Sequence, residues 1–148
     1  MVKLRHFIHD DANVLQQFLY ENMPIKEIQN MICDWSKYEY QGKYFEMFAI
    51  IHGGNIVGTV SLFEQSDNVV SIGEEVFSAY QRQGFGKKAM NIVLEIAKDK
   101  GYKIVLQQVR SNNIPSIAMH QSLGFETDRY AYINKKGNEV FLFVKALY

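Results

Sequence analysis

Three groups of residues near the middle of the chain could do chemistry. Residues 81–86, Gln-Arg-Gln-Gly-Phe-Gly, place two glycines just before a stretch with helical periodicity. Glu74 and Glu75 are adjacent carboxylates in an apolar run, and His120 is a lone histidine further along. Glycines let the backbone turn sharply and approach a bulky anion, while carboxylate and imidazole groups move protons. The glycine-bearing segment predicts an anion site, and Glu74, Glu75 and His120 are of types that can transfer protons.

The elements around residues 81–86 favour the anion site. Residues 69–77 are rich in β-branched and apolar side chains, which predicts a buried strand. From Lys87 onward the apolar residues recur at helical spacing, so a strand feeds a helix through a glycine-bearing loop. The first N–H groups of a helix have no intrahelical acceptor and carry the positive end of its dipole. Such a loop is typical of a phosphate or pyrophosphate site.

Two common nucleotide motifs fit this loop poorly. A Walker loop needs glycine where Gln81 stands and Ser or Thr where Lys88 stands, so it is excluded. The dinucleotide pattern Gly-x-Gly-x-x-Ala is satisfied from Gly84 onward, but its strand runs directly into the first glycine and an acidic residue follows about 20 positions later. Here residues 78–83 intervene, and the later strand 103–109 has no carboxylate. NAD binding is therefore a weaker alternative.

The remaining pattern, Gln-x-x-Gly-x-Gly between strand and helix, resembles the acetyl-CoA motif of the GNAT superfamily of N-acetyltransferases. Gln81, Gly84 and Gly86 occupy its three defining positions. A second signature of that family follows the next strand, and its positions are matched by Asn113, Ser116, His120, Gly124 and Phe125. The resemblance therefore implies acetyl-CoA as the co-substrate and a primary amine of a small molecule or peptide as the acetyl acceptor.

The resemblance also implies which residues hold acetyl-CoA. Backbone N–H groups at the start of the helix would bind the pyrophosphate, and the open edge of the central strand would pair with the pantetheine arm. Two residues of the second signature would contact the pantetheine or adenosine side. The implied cofactor-binding residues are Val76, Phe77, Gln81, Arg82, Gln83, Gly84, Phe85, Gly86, Lys87, Asn113 and Ser116.

The candidate catalytic residues are Glu74, Glu75 and His120, although some family members carry the catalytic glutamate at the position of Val70. Strand alternation sends the two glutamates to opposite faces, and parity with Ile72 and Val76 favours Glu74 as the general base. Burial beside apolar neighbours raises the pKa of a carboxyl group, which suits a proton acceptor near neutral pH. Local hydrogen bonding or orientation of the amine stays open as its role. The family commonly has a tyrosine acid where this chain has His120, and imidazolium is a competent replacement, although a structural role for this histidine stays open.

Length and composition bound the remaining possibilities. A chain of 148 residues is the size of one domain, so we expect residues 1–148 to form a single unit. Sixteen basic and 16 acidic residues give zero net charge, which argues against a nucleic-acid partner. The opening residues lack the apolar run of a signal peptide, and no run is long enough to span a membrane, so a cytoplasmic protein is expected. No spaced set of metal ligands is evident, and no metal is expected.

The order of predicted elements indicates an α/β (α+β) fold. A first strand, 2–8, precedes two helices, the first capped by Asp10 or Asp11, and a three-stranded antiparallel meander follows. A strand–helix–strand–helix segment and a final hairpin, 125–134 with 139–147, complete the chain. This order resembles the GNAT fold, which implies a mixed, mostly antiparallel twisted sheet with helices on both faces and splayed central parallel strands.

Several alternatives stay open from the sequence. Aromatic residues between Trp35 and Phe45 either line the acceptor cleft or pack the core. Cys33 lies outside both motifs, which favours direct attack in a ternary complex over a covalent enzyme intermediate. The alternative to an enzyme is a non-catalytic acyl-CoA-binding module on the same fold. Whether the chain forms a homodimer stays open, as does the identity of the amine.

Overall fold

The computed structural model describes residues 1–148 as one mixed sheet flanked by helices. The four α-helices are α1 (Ala12–Phe18), α2 (Ile25–Trp35), α3 (Phe85–Asp99) and α4 (Ile114–Ser122). The eight strands are β1 (Val2–Arg5), β2 (Glu39–Tyr40), β3 (Lys43–His52), β4 (Asn55–Ser66), β5 (Val69–Val76), β6 (Ile104–Arg110), β7 (Tyr132–Ile133) and β8 (Glu139–Ala146). No helix is long and apolar enough to cross a membrane.

The strand order is β1-β3-β4-β5-β6-β8-β7, with β2 paired to β3. Strands β3, β4 and β5 form the predicted antiparallel meander, and its first turn contains the Gly53–Gly54 pair. Only β5 and β6 run parallel, and only two residue pairs join them, Val69 with Ile104 and Val70 with Val105. Beyond these pairs the two strands part, as the family resemblance implies. The mixed, mostly antiparallel sheet with splayed parallel strands is confirmed.

Helices cover both faces of the sheet, and each face has its own apolar cluster. On one face, α3 and α4 pack over a core that includes Val70, Ile72 and Val105. On the other face, α1 and α2 pack against a smaller cluster that includes Phe77. Alternation along each strand sends successive side chains to the two faces, so these clusters follow from the period-two pattern of the strands.

The final hairpin differs from its prediction. Residues 125–134 do not form one strand, because only Tyr132–Ile133 pairs continuously with β8 and Glu126 makes a single bridge to Val144. The segment between them contains Arg129 at a φ of 65°, and Asp128 accepts a hydrogen bond from the N–H of Tyr130. Such a local turn competes with strand pairing.

The beginning of the chain also departs from its prediction. The first strand ends at Arg5, before the predicted end at residue 8. Asp11 occupies the predicted N-cap position of α1, but its carboxylate makes no capping hydrogen bond to that helix. It accepts hydrogen bonds from the guanidinium of Arg5 at 2.8 and 3.0 Å and from the N–H of Ile8 at 2.8 Å. Burial acts to raise the pKa of Asp11, and these hydrogen bonds and the Arg5 charge outweigh it, so the pKa is lowered.

Candidate acetyl-CoA site

A cleft of about 840 Å³ opens beside the end of β5, beyond the residues that pair with β6. It is bounded by the end of β5, the loop before α3, the first turn of α3 and one face of α4. The residues that line it are Glu74, Glu75, Val76, Tyr80, Gln81, Arg82, Gly84, Phe85, Gly86, Lys87, Asn113, Pro115, Ser116, Ala118, Met119 and Ser122.

Most of the predicted site residues come together in this cleft. Eleven of the fourteen line it, and the three that do not are Phe77, Gln83 and His120. Phe77 is buried in the cluster beneath α1 and α2, and its ring stacks on Phe18 at 4.9 Å. Its N–H donates to the carbonyl of Val57 on β4 and therefore points away from the cleft. Gln83 is exposed at the outer side of the loop.

Gln107 holds the strands at the point where they part. Its Oε1 accepts a hydrogen bond from the N–H of Ile72 at 2.7 Å, and its Nε2 donates to the carbonyl of Ile72 at 2.8 Å. The side chain thus replaces a strand partner for both backbone groups of one β5 residue. Sequence analysis missed Gln107, although its signal is a glutamine at a buried position, between Val105 and Val109, of an otherwise apolar strand face.

The edge of β5 beyond Ile72 offers free backbone groups to the cleft. Because Ile72 directs its N–H and carbonyl toward β6, alternation directs those of Glu74 and Val76 the same way. The carbonyl of Val76 is occupied by Gln81, whose Nε2 donates to it at 3.1 Å. The N–H and carbonyl of Glu74 and the N–H of Val76 face the space left by β6. An extended ligand can therefore add to this edge as a strand would.

The loop before α3 has the geometry of an anion site. Arg82 and Gly84 both adopt positive φ, 65° and 80°, and Gly84 is the N-cap of α3 without any side-chain cap. The first helical bond runs from the N–H of Lys88 to the carbonyl of Gly84. The N–H groups of residues 85–87 therefore have no acceptor within the helix. With the side chains of Arg82 and Lys87 on the cleft, this end fits a pyrophosphate.

Glu74 lies directly against the start of α3. A Cβ added at Gly86 would collide with the carboxylate of Glu74, so glycine at this position makes room for that side chain. Burial raises the pKa of Glu74, and the neighbouring charge of Glu75 raises it further. The geometry matches the expectation of a partly buried carboxyl group on the same sheet face as Ile72.

Glu75 points to the opposite face of the sheet, toward the end of α1. Burial raises the pKa of Tyr20, and the charge of Glu75 adds to that rise, which places the phenol near this carboxylate. Tyr20 follows α1 and its N–H donates to the carbonyl of Leu15. Both glutamates line the cleft, but they approach it from the two faces. Tyr20 was not among the predicted site residues, because only the tertiary fold brings α1 to β5.

His120 is buried beneath the inner face of α4. Its ring packs against Phe125 at 5.1 Å and Phe143 at 5.6 Å, between centroids, and only 4% of the residue is exposed. Nδ1–H donates to the carbonyl of Ser116 at 2.7 Å, and Nε2 has no partner. Burial lowers the pKa of His120, and the Ser116 bond opposes that shift only in part. The imidazole therefore favours its neutral form and lies outside the cleft.

The other second-signature residues occupy the beginning of α4. The side-chain oxygen of Asn113 accepts a hydrogen bond from the N–H of Ser116 at 3.2 Å and so caps the helix. Both residues line the cleft opposite the loop before α3. The aromatic residues between Trp35 and Phe45, in contrast, do not line it. Trp35 packs on Phe7, and Tyr44 packs on Tyr102.

Comparison with known proteins identifies the family. The model of the acetyltransferase (GNAT) family matches residues 12–125 of this chain. The chain belongs to the GNAT acetyltransferase family. GNAT acetyltransferases use acetyl-CoA, and the cleft between β5 and β6 carries the free backbone edge and the helix N-terminus that fit this cofactor.

One curated relative and two solved structures illustrate the relationship. The SPbeta prophage-derived uncharacterized N-acetyltransferase YokL of Bacillus subtilis (strain 168) is 30% identical over 99 residues. The match covers 65% of this chain and 56% of YokL, so it spans little more than half of that relative.

Among solved structures, YncA from Salmonella typhimurium with its cofactor acetyl-CoA has a TM-score of 0.76 and 16% identity, covering 100% of this chain and 95% of YncA. An acetyltransferase from Salmonella typhimurium that modifies the N-terminal serine of ribosomal protein L7/L12 has a TM-score of 0.80 and 16% identity, covering 99% and 95%. These likenesses show the fold.

Proposed function

We propose that this chain transfers the acetyl group of acetyl-CoA to a primary amine of a small molecule or peptide, by direct attack in a ternary complex. The observation that carries the proposal is the set of groups that the cleft brings together. The free N–H groups at the start of α3, with Arg82 and Lys87, face the same space as Glu74 and Glu75. An anionic cofactor and a cationic amine would therefore both find complementary charges in one cleft.

The residues divide the chemistry between them. Acetyl-CoA supplies an activated acyl group as a thioester. Glu74, whose pKa is raised by burial, accepts a proton from the ammonium form of the acceptor. The amine nitrogen would then attack the thioester carbonyl, so that the C–N bond forms and the C–S bond breaks. The proton that the nitrogen loses as the amide forms would pass through cleft solvent to the released thiolate. The backbone N–H of Val76 faces the cleft and would donate to the developing oxyanion.

Glu75 is assigned to positioning. It approaches the cleft from the face that carries Tyr20 and would hold the ammonium group before deprotonation. The burial of His120 outside the cleft does not support its predicted role as the acid. Cleft solvent would then protonate the thiolate.

That same burial favours a second candidate function, a non-catalytic acyl-CoA-binding module. A chain that lacks a titratable side chain on the cleft side of α4 could bind the cofactor without turnover. The two candidates differ only in catalysis, since both require the anion loop and the free edge of β5.

The test combines cofactor binding with thiol release. We expect acetyl-CoA to raise the melting temperature, and an amine from a panel of small amines and peptides to release free thiol from acetyl-CoA. Glu74→Gln should lower kcat at least about 100-fold with little change in acetyl-CoA affinity, as general-base loss does. Glu95→Gln, an exposed change on α3, is the matched control. Stabilisation without thiol release on any acceptor would favour the binding module, and no stabilisation would contradict both functions.

A further inference from the structure

The sheet face that carries Glu75 is only partly covered by helices. The cluster beneath α1 and α2 draws on β3, β4 and Phe77, which directly follows β5, and it contains no residue of β6 or β8. Leu142 and Val144 of β8, on this face, are each 38% exposed. Because Val70 pairs with Val105 beneath α3, Gln108 and Arg110 share the opposite face with Glu75. This uncovered face therefore continues from Glu75 toward β7.

A groove of about 650 Å³ lies at the end of this face. Its nine lining residues are Gln108, Arg110, Tyr132, Ile133, Asn134, Lys135, Lys136, Asn138 and Val140. Three of them are cations and none is a carboxylate. Arg110, Lys135 and Lys136 take no part in any ion pair of the chain. Since the whole chain has zero net charge, this excess of positive charge is local.

The turn that carries the two lysines is ordered by Asn134. Its Oδ1 accepts hydrogen bonds from the N–H groups of Lys136 and Asn138, both at 3.0 Å. Its Nδ2 donates to Oε1 of Gln108 at 2.9 Å, which ties the turn to β6. The turn is therefore held over the end of β6, and a ligand would not have to order it. Glu139, which follows the turn, is engaged with the hydroxyl of Ser111 at 2.6 Å.

The groove includes residues at the end of β6, and the cleft includes a residue of the loop that follows. Arg110 lines the groove, and Asn113, three residues later, lines the cleft. We propose that the acetyl acceptor is an acidic polypeptide, an inference that rests on the proposed function. Its N-terminal amine would lie at Glu75, and the carboxylates of its next residues would contact Arg110, Lys135 and Lys136. The cleft supplies the carboxylates that an ammonium group requires, and the groove supplies the cations that acidic side chains require.

A matched pair of peptides tests the charge preference. Both begin with a free serine amine, and positions two to five are Glu in one and the near-isosteric Gln in the other. We expect kcat/KM for the Glu peptide to be about tenfold higher at low salt and to fall toward the Gln value as salt screens the charges. Equal use of the two peptides at low salt would overturn the proposal.

Charge reversal tests whether the lysines of the groove cause the preference for the Glu peptide. The double variant K135E/K136E should remove the preference for the Glu peptide over the Gln peptide, mainly through KM. The control K3E/K103E changes the same number of exposed lysines, one on the edge strand β1 and the other just before β6, and should keep the preference. A preference that survives K135E/K136E would overturn the assignment to the groove.

Direct binding separates this inference from the proposed function. Anisotropy of the Glu peptide, labelled at its C-terminus, reports binding without turnover. If the wild-type protein binds the Glu peptide, K135E/K136E abolishes that binding, and no thiol is released, the groove assignment would be supported and the enzymatic function contradicted. Thiol release at equal kcat/KM with the Glu and Gln peptides would support the acetyltransferase activity and contradict the assignment of the groove as an acidic-peptide site. Tighter lysine-dependent binding of a labelled oligouridylate would overturn the peptide assignment in favour of nucleic acid.

Discussion

At the scale of single residues, Gly86 and Glu74 depend on each other. Gly86 lies in the first turn of α3, whose free N–H groups form the candidate anion site, and it also leaves room for a carboxylate. The neighbour that a Cβ would meet is the end of a flexible side chain. Gly58 differs, because its Cβ would meet the backbone carbonyl of Glu75 and, at 2.9 Å, the Cα of Val76.

Gly86→Ala should therefore displace the Glu74 carboxylate at little cost in folding. We expect a melting temperature within a few degrees of wild type and a kcat lowered about tenfold or more, since a misplaced base is an inefficient one. Steady-state kinetics on Gly86→Ala, Glu74→Ala and the double variant check this. In the Glu74→Ala background, the effect of Gly86→Ala on kcat should largely disappear. An equal loss of acetyl-CoA affinity in both backgrounds would show instead that the Cβ obstructs the cofactor.

At the scale of elements, the separation of β5 from β6 depends on one side chain. Two strands that part leave backbone groups without partners, and unpaired buried groups cost free energy. Gln107 satisfies both groups of Ile72 and ends the ladder where the cleft begins. Beyond this point the edge of β5 stays free for a ligand.

Gln107→Met conserves volume but removes both hydrogen bonds. We expect the free energy of unfolding to fall by about 2–4 kcal/mol, since two buried backbone groups lose their partners. Acetyl-CoA affinity should also fall, because β5 and β6 can then approach each other. Urea unfolding and calorimetric titration measure the two effects. Gln108→Met, at an exposed neighbour, is the control, and equal losses in both variants would contradict the role of Gln107.

At the scale of the whole molecule, a polar cluster joins β1, β3 and α3 at the end of the sheet far from the cleft. Glu46 on β3 is buried and accepts hydrogen bonds from Tyr44 and from Nε2 of His6, the latter at 2.6 Å. Nζ of Lys100, just after α3, lies 3.6 Å from its other oxygen. Burial acts to raise the pKa of Glu46, but these hydrogen bonds and the Lys100 charge outweigh it, so the pKa is lowered.

The sign of this shift predicts how stability depends on pH. A carboxylate with a lowered pKa stabilises the folded state above its ordinary pKa, and this stabilisation is lost as the pH falls through the folded value. Glu46→Gln should cost about 1–3 kcal/mol at pH 7. The difference from wild type should narrow as the medium is acidified. Urea unfolding across that range checks both statements, with Glu95→Gln as an exposed control, and a difference independent of pH would contradict them.

Much of the site could be predicted from local sequence. The strand, the glycine loop and the start of α3 are specified by short-range patterns: period two, then glycines that permit positive φ, then period 3.6. Most of the predicted site residues therefore line one cleft. The helix begins at Phe85, two residues before the apolar periodicity suggested, because the turn is set by Gly84.

What local pattern could not determine is the set of contacts between distant segments. His120 matches a family position by spacing, yet Phe125 and Phe143 bury it away from the cleft. Phe77 belongs to the strand by pattern but turns toward α1. Tyr20 reaches Glu75 only after α1 folds over the sheet. How far α1 and α2 extend over the sheet decides how much of that sheet face stays exposed beside the cationic turn at residues 134–138.

The sequence by itself determined the family, the fold class and the loop before α3 that suits a pyrophosphate. The backbone conformation of that loop follows from residue types that are close in sequence. Tertiary structure alone decided that Glu74 and Glu75 line one cleft, that Gln107 satisfies the backbone of Ile72 where β5 and β6 part, and where the three unpaired cations gather. Each of these depends on packing between residues separated by tens of positions, and a pattern read along one strand or helix carries no information about its partner.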